Sequence, residues 1–369
     1  MLEPDQQPRH SLDHDLPARV EQVLSTFLAD QRAQAERIDR SFTEAVDALT
    51  AFVLGGGKRI RPVFAWWGWR GAGGAAEGPL AEAVLHAVSA LELVQACALV
   101  HDDLMDASER RRGAPTVHVA FTERHRSAGF LGDSRRFGLA ASVLLGDLAL
   151  VWADDMFAQA GLPPEMVHRS REPWQAMRTE VLAGQYLDVL VQAQGDESTE
   201  AALRVPRLKT AAYTVERPLH LGAALAGGSA ELIGAFRRFG VDVGLAFQLR
   251  DDLLGVFGDP QVTGKPAGDD LREGKRTLLV ALGLQLAEEK HRWDAAKTLR
   301  SALGDPELDD EGVGQVRNLL VELGAVAAVE QRIAQLTDSA LATLRAASVA
   351  EPAATRLAEL AIAAAHRRL

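Results

Sequence analysis

The residues best suited to chemistry in this chain are aspartates gathered at two points. They are Asp102, Asp103 and Asp106 in the run Asp-Asp-Leu-Met-Asp, and Asp251 and Asp252 in Asp-Asp-Leu-Leu-Gly. The stretch before the first run, Leu91 to Val100, is almost wholly apolar, as a helix buried in a bundle would be, yet it delivers three acids at its end. A helix C-terminus already carries partial negative charge, so carboxylates there are disfavoured. Two carboxylates about 4 Å apart repel by roughly 4 kcal/mol at an effective dielectric near 20. Something cationic must offset this. Asp102 and Asp106, four residues apart, share one helical face and suit a hard, oxygen-liganded cation such as Mg²⁺. The plainer alternative is a solvated helix end neutralised by Arg110, Arg111 and Arg112. The second cluster weighs against it, because Phe247-Gln-Leu-Arg-Asp-Asp-Leu-Leu repeats the pattern of an apolar helix ending in acids.

Bases stand beside the acids. Lys58, Arg59 and Arg61 follow a triple glycine, Arg111 and Arg112 follow Asp106, and Lys265 and Lys275 follow Asp251 in a loop that also carries Asp269 and Asp270. Metal joining carboxylate to phosphate oxygens, with Lys and Arg neutralising the remainder, is what a diphosphate requires. Two acid clusters and several basic ones point to two diphosphates. Gly55-Gly-Gly-Lys-Arg-Ile-Arg-Pro lacks the Walker spacing and is not a P-loop. It is either a glycine turn that lets Lys58 and Arg61 converge on a phosphate or a flexible turn with solvated bases.

The elements that must position these residues are helices. From Val20 onward the chain is rich in Ala, Leu, Glu, Arg and Gln and poor in β-branched runs, which predicts an all-α protein. Helices are expected over Val20 to Val53, Leu80 to Val100, Leu139 to Gln159, Glu165 to Ala193, Lys209 to Ala226, Ala230 to Leu254 and Thr277 to Lys290, with alanine-rich amphipathic stretches to the end. Breaks are expected at Gly55 to Gly57, Gly71 to Gly74, Gly113 to Pro115 and Gly161 to Pro164, and a long loop from Gly255 to Gly274. Residues 1–19 are polar, with Pro4, Pro8 and Pro17, and read as a loose tail. Residues 20–369 show no linker and read as one domain.

Composition narrows the function further. The chain has 369 residues, 47% apolar and 25% charged, enough to bury a full core. A formal charge of −11 opposes nucleic acid and anionic membrane surfaces, so a phosphate-bearing ligand must meet local cations or metal. The single Cys97 excludes an internal disulfide and fits a cytoplasmic protein. The N-terminus has no basic start followed by an apolar stretch. The most apolar segments, such as Leu139 to Ala153 with Asp147 inside it, fall short of a membrane span of about 20 residues.

In order along the chain, Gly-Gly-Lys-Arg-Ile-Arg-Pro at Gly56, Asp-Asp-Leu-Met-Asp at Asp102, Arg-Arg-Gly at Arg111, Gly-Asp at Gly146, Gly-Gln at Gly184, Lys-Thr at Lys209 and Phe-Gln-Leu-Arg-Asp-Asp at Phe247 resemble the trans-isoprenyl diphosphate synthases, the polyprenyl synthetase family. The resemblance extends over nearly all of the chain from Val20 and is strongest to geranylgeranyl diphosphate synthases. It implies a helical bundle of the isoprenoid synthase type around a central cavity, head-to-tail condensation of isopentenyl diphosphate with an allylic diphosphate, and a homodimer. It further implies that Lys58, Arg61 and Arg112 hold isopentenyl diphosphate, with Gln95 where relatives carry His or Gln. Arg111, Lys209, Thr210, Gln248, Lys265 and Lys275 would hold the allylic diphosphate. Asp102 and Asp106 would carry two Mg²⁺ ions, with Asp103 in support, and Asp251 a third, with Asp252 behind it.

One position departs from the family pattern. The second cluster has Gly255 where an acid is expected, which puts the third metal in question and leaves a catalytically weak partner subunit as one alternative. A class I terpene cyclase is another, although it has no need of Lys58, Arg59 or Arg112. The resemblance also places product-length control four and five residues before Asp102, at Ala98 and Cys97. Both are small and lie about 6 to 7.5 Å below the metal ligand along a helix, so a product of C20 or longer is expected, with C20 favoured.

Overall fold

The structure, a computed structural model, describes residues 11–258 and 268–366. It is all-α, as the composition predicts. Helices α1 (Leu16–Ile38) and α2 (Arg40–Leu54) replace the single long helix expected over Val20 to Val53. The break falls at Asp39, whose backbone is extended and whose carboxylate accepts from the Ser41 amide at 2.7 Å, capping α2. The expectation of a loose tail through Arg19 also fails for residues 11–19. Leu12 and Leu16 are buried, and the Asp13 carboxylate accepts from Trp66 Nε1 at 2.8 Å and Arg70 Nε at 2.9 Å. Two apolar side chains and a charge partner are enough to pin that segment down.

Helices α3 (Ile60–Gly71), α4 (Pro79–Ser89) and α5 (Leu91–Met105) follow. The single helix expected from Leu80 is broken at Ala90, and α5 runs into the first acid cluster as expected, so Asp102 and Asp103 are helical and Asp106 is its C-cap. A two-stranded hairpin, β1 (Arg110–Arg111) with β2 (Ala114–Pro115), turns through Arg112 and Gly113, both at positive φ. Then come α6 (Val117–Ser127), α7 (Ser134–Ala158), α8 (Pro164–Gln194) and α9 (Thr199–Pro206). A π-helical segment, Arg207–Glu216, leads into α10 (Arg217–Ala226). Pro206 and Pro218 flank it, each removing an amide from the ordinary helical ladder.

Helix α11 (Ala230–Phe257) contains Gly255, which therefore does not open a loop as its residue type suggests. The short α12 (Asp269–Arg272) precedes α13 (Leu278–Glu289), α14 (Trp293–Ala302), α15 (Asp310–Leu323), α16 (Ala325–Ala346) and α17 (Ala353–Ala365). Among the described residues two large apolar cores form, with a small third cluster at Val191, Ala201 and Val205. α11 belongs to both large cores, giving Phe236, Phe239 and Val243 to the larger and Leu249, Leu253 and Val256 to the other.

Two helical stretches correct the reading of membrane-spanning length. Pro79–Met105, which takes in α4 and α5, and Ser134–Ala158 are long and apolar enough to cross a membrane. The first owes its composition to burial, since 72% of its apolar window lies inside the fold. Only 39% of the second is covered, and α7 shows an apolar face to the outside.

Candidate active site

Three elements bring the first acid cluster its partners. α5 presents Asp102, α8 presents Gln185 and Asp188, and the π segment presents Lys209. Lys209 Nζ donates to Asp102 Oδ1 at 2.8 Å and to Asp188 Oδ2 at 2.6 Å, while Gln185 Nε2 donates to Asp102 Oδ1 at 3.2 Å. Gly184 makes this crossing possible, because a Cβ there would overlap the Lys209 backbone. Asp103 is buried and gripped by Arg111, with Nε at 2.8 Å from Oδ1 and at 2.9 Å from Oδ2. Arg111 NH2 also lies 3.4 Å from Asp102 Oδ2. Arg111, which the resemblance gives to the allylic diphosphate, is thus already engaged by two acids of the first cluster.

Protonation follows from this arrangement. Burial pushes Asp102 up, but Lys209, Lys275 and Arg111 outweigh it and hold the carboxyl below its ordinary range. Asp106 is pushed up to about 6 by burial and by the neighbouring charge of Asp102. One of the pair therefore carries the proton first, as expected of two carboxylates sharing a site. Lys209 is raised despite its burial, because Asp102 and Asp188 both favour its charged form.

The second cluster is joined to the first through Lys275. Its ammonium lies 2.6 Å from Glu273 Oε2, 3.3 Å from Asp270 Oδ1 and 3.8 Å from Asp106 Oδ2. Thr210 Oγ1 donates to Gln248 Oε1 at 2.7 Å, and Gln248 Nε2 donates to Asp252 Oδ1 at 2.7 Å. Asp252 is buried, and burial raises its carboxyl to about 8, with Asp270 and Asp251 adding to the rise and the Gln248 hydrogen bond opposing it. Asp251 is half-buried on the same last turns of α11. Lys265 lies outside the described residues.

A separate basic pocket forms where the glycine turn meets the hairpin. Arg112 NH1 donates to the Gly56 carbonyl, and its backbone is held at φ 51°. Arg61 is buried, donates from NH2 to Thr214 Oγ1 at 2.9 Å, and stacks 4.0 Å above the Tyr213 ring. Its Nε is buried with no hydrogen-bond partner among the described residues, a donor prepared for an anion. Lys58 is exposed on the same turn. Arg59, not singled out among the binding residues, is instead buried against Glu92 at 3.0 Å and fixes the turn onto α5.

Gln95, Ala98 and Asp102 are spaced three and four residues apart and form one partly exposed stripe of α5. Cys97 is buried on a different side, its Sγ 3.7 Å from His101 Nδ1, and His101 in turn packs over Gly146 of α7. The sequence names Ala98 and Cys97 together; the fold gives them different neighbours. Asp188, Gln185, Tyr213 and Glu273 were missed as site residues. The signal for Asp188 was its place one helical turn after Gly184, on the face already marked by Gly-Gln.

Among the described residues no group of three His, Cys, Asp or Glu is already arranged as a metal cage. The donor set still fits Mg²⁺, which is held by one or two carboxylates together with substrate phosphates. Asp102 and Asp106 share a face, and the lysines between the acids hold the charge that a cation would otherwise neutralise.

An all-α bundle with lysine-bridged acids at the end of α5, and a buried Arg61 and an exposed Arg112 meeting at the Gly56 turn, suits phosphorylated, metal-chelating ligands. The polyprenyl synthetase family matches residues 43–319, and the chain belongs to that family. It is similar to a crystal structure of geranylgeranyl pyrophosphate synthase from Corynebacterium glutamicum complexed with isoprenyl diphosphate and magnesium. That match has 49% identity and a TM-score of 0.92, and covers 97% of this chain and all of the other. The geranylfarnesyl diphosphate synthase of Aeropyrum pernix is 32% identical over 286 residues, 76% of this chain and 80% of its own. The geranylgeranyl diphosphate synthase of Sulfolobus acidocaldarius is 33% identical over 258 residues, 69% of this chain and 70% of its own.

Proposed function

We propose that this protein condenses isopentenyl diphosphate head to tail with allylic diphosphates and that its main product is geranylgeranyl diphosphate, C20. The observation that carries this reading is the presence of two separate anion sites: the acids bridged by Lys209 and Lys275, and the pocket of Arg61 and Arg112 at the Gly56 turn. A terpene cyclase acts on one diphosphate and leaves the second pocket without a role.

In this reading Asp102 and Asp106 would hold two Mg²⁺ ions and Asp251 a third. Bound Mg²⁺ would neutralise the charge growing on the departing diphosphate. Lys209, Lys275 and Arg111 add fixed positive charge on the same side, and Gln248, itself held by Asp252, fixes the Thr210 side chain in place. Arg61, Arg112 and Lys58 fix the second diphosphate, with Gln95 beside them on α5. The allylic carbon–oxygen bond breaks, the isopentenyl double bond attacks the resulting cation, and a proton then leaves, with the released diphosphate as its acceptor. Ala98 and its apolar neighbours keep water from that cation.

Residues 20–369 act as one domain in this reading, supported by the passage of α11 through both cores. The lone buried Cys97 supports a cytoplasmic setting, and the apolar face of α7 supports a homodimer. Incubation with labelled isopentenyl diphosphate, dimethylallyl diphosphate and Mg²⁺, followed by product sizing, tests the function. A C20 diphosphate is expected. A hydrocarbon product would establish cyclisation instead, and turnover only on addition of a partner chain would establish an accessory subunit.

A further inference from the structure

Half of the buried side-chain nitrogens and oxygens without a hydrogen-bond partner among the described residues lie in one place, where the Gly55 to Gly57 turn meets α5. They are Arg59 Nε and NH2, Arg61 Nε and Glu92 Oε1, four of eight. Each such atom costs free energy, and a buried ion pair adds little net stability, so folding alone does not account for the arrangement. We propose that Arg59 and Glu92 are positioning residues for isopentenyl diphosphate: their buried pair, steadied from α1 by Glu21, sets the turn against α5 so that Lys58, Arg61 and Arg112 converge on that ligand. This inference rests on the reading of that pocket as the isopentenyl diphosphate site.

Arg59 NH1 donates to Glu92 Oε2 at 3.0 Å, and both side chains are almost fully buried. Arg59 NH2 also lies 3.5 Å from Glu21 Oε2 of α1, a half-exposed side chain. An element outside the family-matched residues 43–319 thus reaches the turn. Arg59 itself has φ 50°, a left-handed backbone that a residue other than glycine holds only where its surroundings fix it. Its carbonyl accepts from the Val63 amide at 3.2 Å and opens α3, so the place of Arg59 decides the direction in which Arg61 projects.

Glu92 lies in the first turn of α5, where the helix dipole favours a negative side chain, and Gln95 stands three residues on along the same face. Arg112 closes the remaining side. Its NH1 donates to the Gly56 carbonyl, and a Cβ on Gly57 would lie 3.2 Å from its NH2. Burial lowers the Arg112 guanidinium, Arg59 and Arg111 add to the fall, and Glu92 opposes it. Glu92 is therefore the buried counter-charge to a group of arginines whose remaining donors a diphosphate would satisfy.

The test combines KM for each substrate, kcat and the unfolding midpoint of the full chain with equilibrium binding of labelled isopentenyl diphosphate beside an inert allylic thiodiphosphate. Arg59→Gln and Glu92→Gln are each expected to raise KM for isopentenyl diphosphate by on the order of 10- to 100-fold, the scale of a displaced binding group, while KM for the allylic diphosphate and kcat stay near the parent. Arg59→Lys, which keeps the charge, is expected to fall between the parent and Arg59→Gln. The double variant Arg59→Met/Glu92→Leu removes the unpaired charge, so its unfolding midpoint is expected to recover while KM for isopentenyl diphosphate stays raised. Glu21→Gln is expected to give a smaller rise in the same KM at an unchanged midpoint. A parental KM for isopentenyl diphosphate in the double variant would overturn the inference, as would an equal rise in both KM values in the single variants. Should Arg59→Gln and Glu92→Gln fail to fold, Arg59→Lys and Glu21→Gln decide, and parental values in both would overturn it too. A parent chain that binds no isopentenyl diphosphate would instead remove the reading of the pocket itself.

Discussion

Ala98 and Cys97 adjoin in sequence and share small size, yet the helix turns them toward different surroundings. Ala98 lies on the stripe of Asp102 and Gln95, whereas Cys97 is packed beside His101 toward α7, and burial and Asp147 raise its thiol to about 12. Ala98→Phe is therefore expected to shorten the product below C20, read by chromatography of the dephosphorylated alcohols; an unchanged length would remove Ala98 from the pocket wall. Cys97→Phe is expected to cost about 1–3 kcal/mol of stability by overpacking and to leave product length nearer that of the parent. Lys209 gives a second prediction at this scale. It separates Asp102 from Asp188, and Lys209→Met is expected to lower kcat by roughly 100-fold, the scale of losing one preorganised donor. Steady-state rates at saturating substrate check it. The acids and bases themselves were legible because paired carboxylates at a helix end demand a cation. Asp188 and Tyr213 were not, because their relation to Lys209 and Arg61 is made by helices crossing in space and leaves no spacing in the sequence.

The long helices were legible in rough extent but not in number, since α3 and α6 were not expected and the joints within longer stretches were missed. Asp39 splits α1 from α2 through its backbone conformation and one capping bond, which helical propensity summed over the segment cannot register. The π segment is hidden for a related reason: over ten residues its repeat differs too little from an ordinary helix to alter the apolar pattern. Its end carries a buried ionic joint. Arg217 Nε donates to Glu180 at 2.8 Å and NH1 to Glu172 at 3.1 Å, while His220 lies 3.5 Å from Glu172 and Arg237 bonds Glu216 at 2.9 Å. Burial lowers His220 to about 4, with Arg217 and Arg237 adding to the fall and Glu172 and Glu180 opposing it. The unfolded chain protonates this imidazole near 6.5, so between about 6.5 and about 4 it binds the proton that the native joint refuses. The stabilisation is complete above that window and is lost as pH falls through it, by on the order of 2–3 kcal/mol. Urea unfolding at pH 7, 5.5 and 4.5 checks the slope, and His220→Gln is expected to flatten it; an equal slope in both chains would place the acid sensitivity elsewhere.

At the scale of the whole molecule the all-α architecture follows directly from composition, while the surface that α7 turns outward emerges only once its other face is seen to be covered. Phe137, Val143, Leu144 and Val151 of α7 are all more than a third exposed, and Phe130 and Leu131 continue the patch on the preceding loop. A contiguous apolar surface of this kind marks an interaction site. The net charge of −11 disfavours an anionic membrane as its occupant, because the protein's field repels it. A second copy of the same chain carries the same patch, and two such faces set against each other bury it on both sides in a closed pair. Leu144 is 68% exposed and lies within the stripe, so Leu144→Glu changes the face without disturbing the core beneath it. The parent chain is expected to sediment as a dimer at micromolar concentration and Leu144→Glu as a monomer with an unchanged unfolding midpoint. A parent chain that sediments as a monomer would show that the α7 face serves some other partner.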